Sequence, residues 1–145
     1  MFSPRGLAAA ERVRIERIGR AASMGEAGLA TLLDFLSDPS WTVRRWAIAA
    51  LAALGEAAVG ALCVTLREQR SDENRVAATV DALAASTGDV YSQLSEAVDD
   101  AEPAVVADIA QIFGRRAERR ATALLARLAT GVDDNVALAS IEALG

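Results

Sequence analysis

Two pairs of adjacent carboxylates, Asp99-Asp100 and Asp133-Asp134, are the residues of this chain best suited to chemistry. Carboxylates alone can run general acid-base catalysis. Both pairs stand at breaks between helical patterns, where an acid also accepts free backbone N–H groups and favours the positive end of a helix. Helix capping is therefore their expected role. The one cysteine, Cys63, lies on an apolar stripe and lacks the exposed, electropositive setting that makes a thiol reactive. It reads as a small buried hydrophobe. The sequence contains no histidine. That excludes Ser-His and Cys-His nucleophilic systems and His-ligated zinc, iron or haem in this chain, and a lone cysteine excludes thiolate clusters. The glycines are scattered, and none begins a phosphate loop ending in Lys-Ser or Lys-Thr. The expectation is a protein without a cofactor, and not an enzyme.

All 15 basic residues are arginine, against 20 acids, giving a net charge of -5. A polyanion would be repelled on average, so nucleic acid is a disfavoured partner. Two local clusters run against that average: Arg12, Arg14, Arg17 and Arg20, and Arg115, Arg116, Arg119 and Arg120. Pairing with Glu11, Glu16 and Glu118 at i, i+3 or i+4 spacing would make both ordinary solvated helix faces. The exclusive use of arginine resembles the codon bias of a GC-rich bacterium.

The elements that position these residues repeat. Met24–Leu36 lies over Leu54–Leu66 without a gap, every residue moving by 30, and Val13, Arg14 and Ile18 fall on Val43, Arg44 and Ile48. Anchors at Gly25, Gly55, Ala84, Gly114 and Gly145 stand 30, 29, 30 and 31 residues apart. Within a unit, apolar residues recur every three or four positions, as in Val43, Ala47, Ile48, Leu51 and Leu54, so each unit is two amphipathic helices. Asp38-Pro39, Asp72 and Asp133 or Asp134 supply helix starts, Glu102-Pro103 a weaker one, and Gly25, Gly55 and Gly114 suit the left-handed residue that ends a helix. The pattern predicts nine helices near 7–24, 27–37, 40–54, 56–69, 72–86, 89–99, 103–114, 117–130 and 133–144. Hydrophobic content of 52% suffices for a core in one domain spanning 1–145. No apolar run reaches the ~18 residues of a membrane span and no signal-peptide pattern opens the chain, so a cytoplasmic protein is expected.

The stretch Asp38–Gly55, with its Asp, Val43-Arg44, Ala47 and Leu54-Gly55, resembles the HEAT repeat in the short bacterial form similar to the phycobilisome-lyase type. The third and fourth units lose the Val-Arg pair. The resemblance implies an all-α, right-handed α-solenoid of about four and a half helix pairs. Its function would be a non-catalytic protein-binding scaffold or an adaptor or regulatory module in signalling, using the concave face. The enzymatic alternative is a bilin-lyase-like subunit. HEAT-like DNA glycosylases supply the nucleic-acid alternative, whereas di-iron HEAT hydroxylases need histidines this chain lacks.

If the second helices line the concave face, Leu32, Leu36, Leu62, Leu66, Leu94, Val98, Leu124 and Leu128 form their core stripe. Thr31, Asp34, Phe35, Val64, Thr65, Gln93, Glu96 and Arg127 then form a candidate protein-binding ridge, partly apolar through Phe35 and Val64. Of Trp41 and Trp46, at least one should pack on the preceding helix. Arg44 resembles the family arginine that pairs with aspartates of adjacent turns, which implies a structural ladder of Asp38, Arg44, Asp72 and Asp133. The fifth unit stops after one helix, whose Val136, Leu138, Ile141 and Leu144 are apolar on more than one side. The expectation is the N-terminal part of a longer protein, or a homodimer through that helix.

Overall fold

The structure, a computed structural model, describes residues 8–145. Among the described residues every regular element is helical: α1 (Ala9–Ser23), α2 (Leu29–Asp34), α3 (Trp41–Leu54), α4 (Glu56–Glu68), α5 (Glu73–Ala85), α6 (Val90–Ala97), α7 (Pro103–Arg115), α8 (Thr122–Ala129) and α9 (Asp134–Leu144). The nine helices fall where the periodicity places them. The expected start of the first at position 7 lies outside the described residues. Two are less regular than expected. A 3-10 turn at Gly25–Gly28 precedes α2 and another at Phe35–Ser37 follows it, while Arg119–Ala121 is a 3-10 lead into α8.

The helices form two rows. In one, α1 touches α3, α3 touches α5, α5 touches α7 and α7 touches α9. In the other, the turn before α2 touches α4, α4 touches α6, and α6 touches the turn before α8. Leu32, Leu36, Val43, Leu51, Leu62, Leu66, Leu83, Leu94, Ile109 and Ile112 are fully buried between the rows. The expected stripe holds through α6, with Val98 also buried, but slips by a residue in α8. There Leu125 and Ala121 are buried, and Leu124 and Leu128 are only half-buried, because the 3-10 lead changes the helical phase.

The helix ends correct four assignments. Ser40, not Asp38, caps α3, its hydroxyl accepting from the Val43 N–H, and Pro39 lies outside the helix. Asp72 and Asp133 do cap α5 and α9. Asp99 and Asp100 cap nothing: they sit in the turn after α6, and Glu102 precedes Pro103 at the start of α7. The residues before α1, α3, α5, α7 and α9 are Ala8, Ser40, Asp72, Glu102 and Asp133, at intervals of 32, 32, 30 and 31. Ala84 is therefore no anchor but part of α5, whose turn comes later, at Ser86–Gly88.

Gly25 and Gly55 adopt the left-handed φ expected of them, 61° and 59°, but Gly114 is helical. At that junction Ala117 takes the left-handed conformation, with φ 51°. Its N–H donates to the Gly114 carbonyl and the Glu118 N–H to that of Phe113, the paired bonds of a Schellman end. Gly114 is needed for space instead: a Cβ there would lie 2.8 Å from Cα of Ala143 on α9. Since a side chain in the left-handed region is strained and glycine is not, Ala117→Gly should stabilise the fold by about 0.5 to 1 kcal/mol, after its greater unfolded-state freedom is counted. Urea unfolding followed by circular dichroism checks this; an unchanged or lowered midpoint contradicts it.

Candidate functional site

The row containing α2, α4, α6 and α8 carries the expected ridge, and the structure divides it. Phe35 is 8% exposed and Thr65 4%, so both leave the surface. Phe35 ends α2 in a 3-10 turn that rotates its ring inward, where the Arg17 guanidinium covers it at 5.3 Å. Thr65 turns its hydroxyl onto the Ala61 carbonyl at 2.9 Å, the usual way a helical threonine satisfies itself. Asp34, Val64, Glu96 and Arg127 are exposed, and Thr31 and Gln93 are half-buried.

Val64 is 50% exposed on α4. One turn before it, Gly60 leaves open the space beside Gln93 of α6: a Cβ on Gly60 would lie 3.6 Å from the Gln93 Oε1. Ala57, Gly60 and Ala61 keep that side of α4 low. Val64 and Gln93 thus belong to one shallow surface, apolar at one end and amide-bearing at the other. Arg127 reaches Asp99 at the end of α6, at 3.8 Å. Cys63, next to Val64, faces the core, and burial pushes its thiol up to about 11, as expected of an inert cysteine. Among the described residues, no group of three or more His, Cys, Asp or Glu is arranged to hold a metal. No helix there is long and apolar enough to cross a membrane.

The expected ladder of Asp38, Arg44, Asp72 and Asp133 does not form. Arg44 donates to the backbone carbonyl of Asp38 at 2.6 Å rather than to a carboxylate. The Asp38 carboxylate, buried, accepts a hydrogen bond from Nη2 of Arg14 of α1 at 3.2 Å, stands 2.8 Å from the same guanidinium's Nε as an ion pair, and accepts the Ser40 N–H at 2.9 Å. Glu11 accepts the Ser40 hydroxyl, which ties the same two helices a second time. Asp72 and Asp133 serve their own helix starts only. Sequence spacing pointed to partners on the same helix, whereas these arginines reach other helices: Arg70 to Asp108 at 2.7 Å, Arg115 to Asp81 at 2.7 Å, Arg75 to Ser37 at 2.5 Å.

Arg116, expected on a solvated helix face, is instead tied into the fold. It donates to the carbonyls of Leu83, Ser86 and Gly88 at 3.0, 2.8 and 3.0 Å, closing the C-terminal end of α5. Arg120 spans Glu118 and Asp89, at 2.9 and 3.0 Å, and stacks over Tyr91 at 4.7 Å. Three of the four arginines in this second cluster are therefore engaged within the fold, and Arg119 is exposed. Trp41 and Trp46 are 62% and 49% exposed, so neither packs away as expected; Arg45 lies over Trp41 at 4.8 Å.

Among the described residues this is an all-helical protein of tandem helix pairs. A family model described as HEAT repeat matches residues 29–63, from α2 through α3 to Cys63 of α4, and supports the HEAT family. No match was found among curated proteins or among solved structures.

Because Asp38 is buried and ion-paired with Arg14, Asp38→Ala should cost about 2–3 kcal/mol, and Arg14→Ala a similar amount, with strong coupling in a double-mutant cycle. Arg44→Ala, which removes a bond to a neutral carbonyl, should cost less, about 1–2 kcal/mol. Equal losses for all three in urea titrations would contradict this division. The Asp89 carboxyl is held down to about 2 by the Ser92 hydroxyl and then by Arg120. A group lowered in the folded state stabilises above its unfolded value of 3.8 and loses that contribution as pH falls towards 2. Asp89→Asn should accordingly make the melting temperature less steep with pH between about 4 and 2, and an unaltered slope would contradict that.

Proposed function

We propose that this chain is a non-catalytic binding scaffold, a right-handed α-solenoid of short bacterial-type HEAT units whose second-helix row forms the concave face that holds a protein partner in the cytoplasm. The exposed Val64 is the observation that carries the reading. A β-branched apolar residue half open to solvent stands on a side of α4 kept low by Ala57, Gly60 and Ala61, beside Gln93. With Asp34, Glu96 and Arg127 exposed on the other helices of that row, the row mixes apolar and polar groups as a protein interface does. It would seat a helix or loop bearing one apolar side chain and a group that bonds the Gln93 amide.

The nucleic-acid alternative draws less support, since Arg115, Arg116 and Arg120 are already held by Asp81, the end of α5, and Asp89 with Glu118. HEAT repeats are commonly protein-interaction elements, which agrees with the scaffold reading. Val64→Glu on the immobilised chain should abolish capture of its partner from a lysate of the source organism. It should leave the melting temperature nearly unchanged, because the position is solvent-facing. Full capture by the variant would remove this face from consideration.

A further inference from the structure

Both tryptophans of the chain stand on α3 and both are open to solvent, Trp41 by 62% and Trp46 by 49%. Helix α3 lies between α1 and α5 in its row, so its outward side is not an end of the array. That side carries Trp41, Arg45, Ala49 and Ala53, each a turn from the next, with Trp46 beside them, and all are exposed. The same side of the next two helices in the row is polar. Nine residues after the one preceding each helix stand Ala49, Asp81 and Gln111, and thirteen after it Ala53, Ala85 and Arg115. Asp81 and Arg115 tie α5 to α7 at 2.7 Å. Helix α3 instead has alanine at both places, behind two tryptophans and an arginine, the residue types that most often anchor an interface.

Charge adds a direction. Helix α3 has no acid in its first turn and no base in its last, while Arg44 and Arg45 stand near its positive N-terminal end, where a cation is disfavoured. Arg44 is held by the Asp38 carbonyl. Arg45 lies over Trp41 at 4.8 Å and, among the described residues, bonds no carboxylate or carbonyl, so its N–H groups remain available. Small side chains beside the negative end of a helix would complement this bulky, basic half. The second half of α3 offers both.

We infer that α3 pairs with α3 of a second copy, antiparallel, about a two-fold axis at Ala49. Arg45 and Trp46 of each copy then lie opposite Ala53 of the other, and Trp41 reaches the C-terminal end of the other α3. Large positions meet small ones, and each arginine-bearing half faces a last turn that lacks a base. Parallel pairing would set Trp41 on Trp41 and Arg45 on Arg45. The contact is isologous and closes at a dimer. Alanine on the axis lets the helices approach to about 8 Å. One helix against another is a small interface, so the dimer is weak and concentration-dependent. It leaves the row of α2, α4, α6 and α8 uncovered in both copies, whatever that row binds, and so doubles the surfaces available to a bivalent partner.

Sedimentation velocity and thiol cross-linking of the 145-residue chain test the pairing. The native chain should pass from monomer to dimer as concentration rises, its tryptophan emission moving to shorter wavelength as both rings lose water. Ala49→Arg, which puts charge on the axis, should stay monomeric up to ~1 mM. Circular dichroism verifies that it folds, with Ala49→Gln as the milder substitute. Val64→Glu, in the other row, should dimerise as the native chain does. In a Cys63→Ala background, Ala49→Cys should give a disulfide-linked dimer under copper-phenanthroline, whereas Ala53→Cys, separated from its own copy by the antiparallel register, should not. A native chain that is still monomeric at ~1 mM overturns the inference. So does a dimer that survives Ala49→Arg or is lost in Val64→Glu, and so does cross-linking that is absent at position 49 or equal at 49 and 53.

Discussion

Neighbouring elements come so close at four glycines of this protein that no side chain fits. A Cβ on Gly28 would stand 1.9 Å from the Ala21 carbonyl oxygen, one on Gly55 2.6 Å from the Thr87 hydroxyl, one on Gly88 2.8 Å from the Glu56 nitrogen, and one on Gly114 2.8 Å from Cα of Ala143. The first fastens the turn before α2 to α1, the next two join the second unit to the third, and the last seats α9 on α7. A helix pair cannot bury its apolar side alone. Only when neighbours come this close do leucines such as Leu32, Leu51, Leu83 and Leu94 lose all contact with water. Their burial at interior packing density supplies the main driving force for folding.

Electrostatics follows from that spacing. Once the rows are set, side chains 24 to 38 residues apart come within reach of one another, and arginine, long and with several donors, bridges them. Arg14 crosses from α1 to Asp38, Arg70 to Asp108, and Arg115 to Asp81. Arg116 fastens onto a helix end rather than a charge. Most such pairs are partly exposed and individually modest in energy. The Arg14–Asp38 pair differs because its carboxylate is buried.

Much of this was readable in the sequence. Nine helices follow from apolar spacing because each buries one stripe, and the unit length follows from their recurrence. What spacing cannot reveal is phase where a helix opens or closes as a 3-10 turn. That is why Phe35 turns inward and why Leu125 replaces Leu124 and Leu128 in the core. Nor does it reveal which close contact needs a glycine: Gly114 was assigned a turn and serves a helix crossing, while Ala117 carries the turn. The candidate ridge was legible in its row of helices but not in its members, since Thr65 and Val64 differ only by a rotation of about 100° around the helix. Arginine partners were the least legible, because the relevant acids lie on other helices.

The Arg116 clamp depends on the shape of its side chain. A lysine ammonium is a point charge on a flexible stem, whereas a guanidinium presents its donors in a rigid planar fork. With every basic side chain in the sequence an arginine, the tie between the third and fourth units is made by a forked, several-donor group that gathers the Leu83, Ser86 and Gly88 carbonyls at once, which a single ammonium could not span.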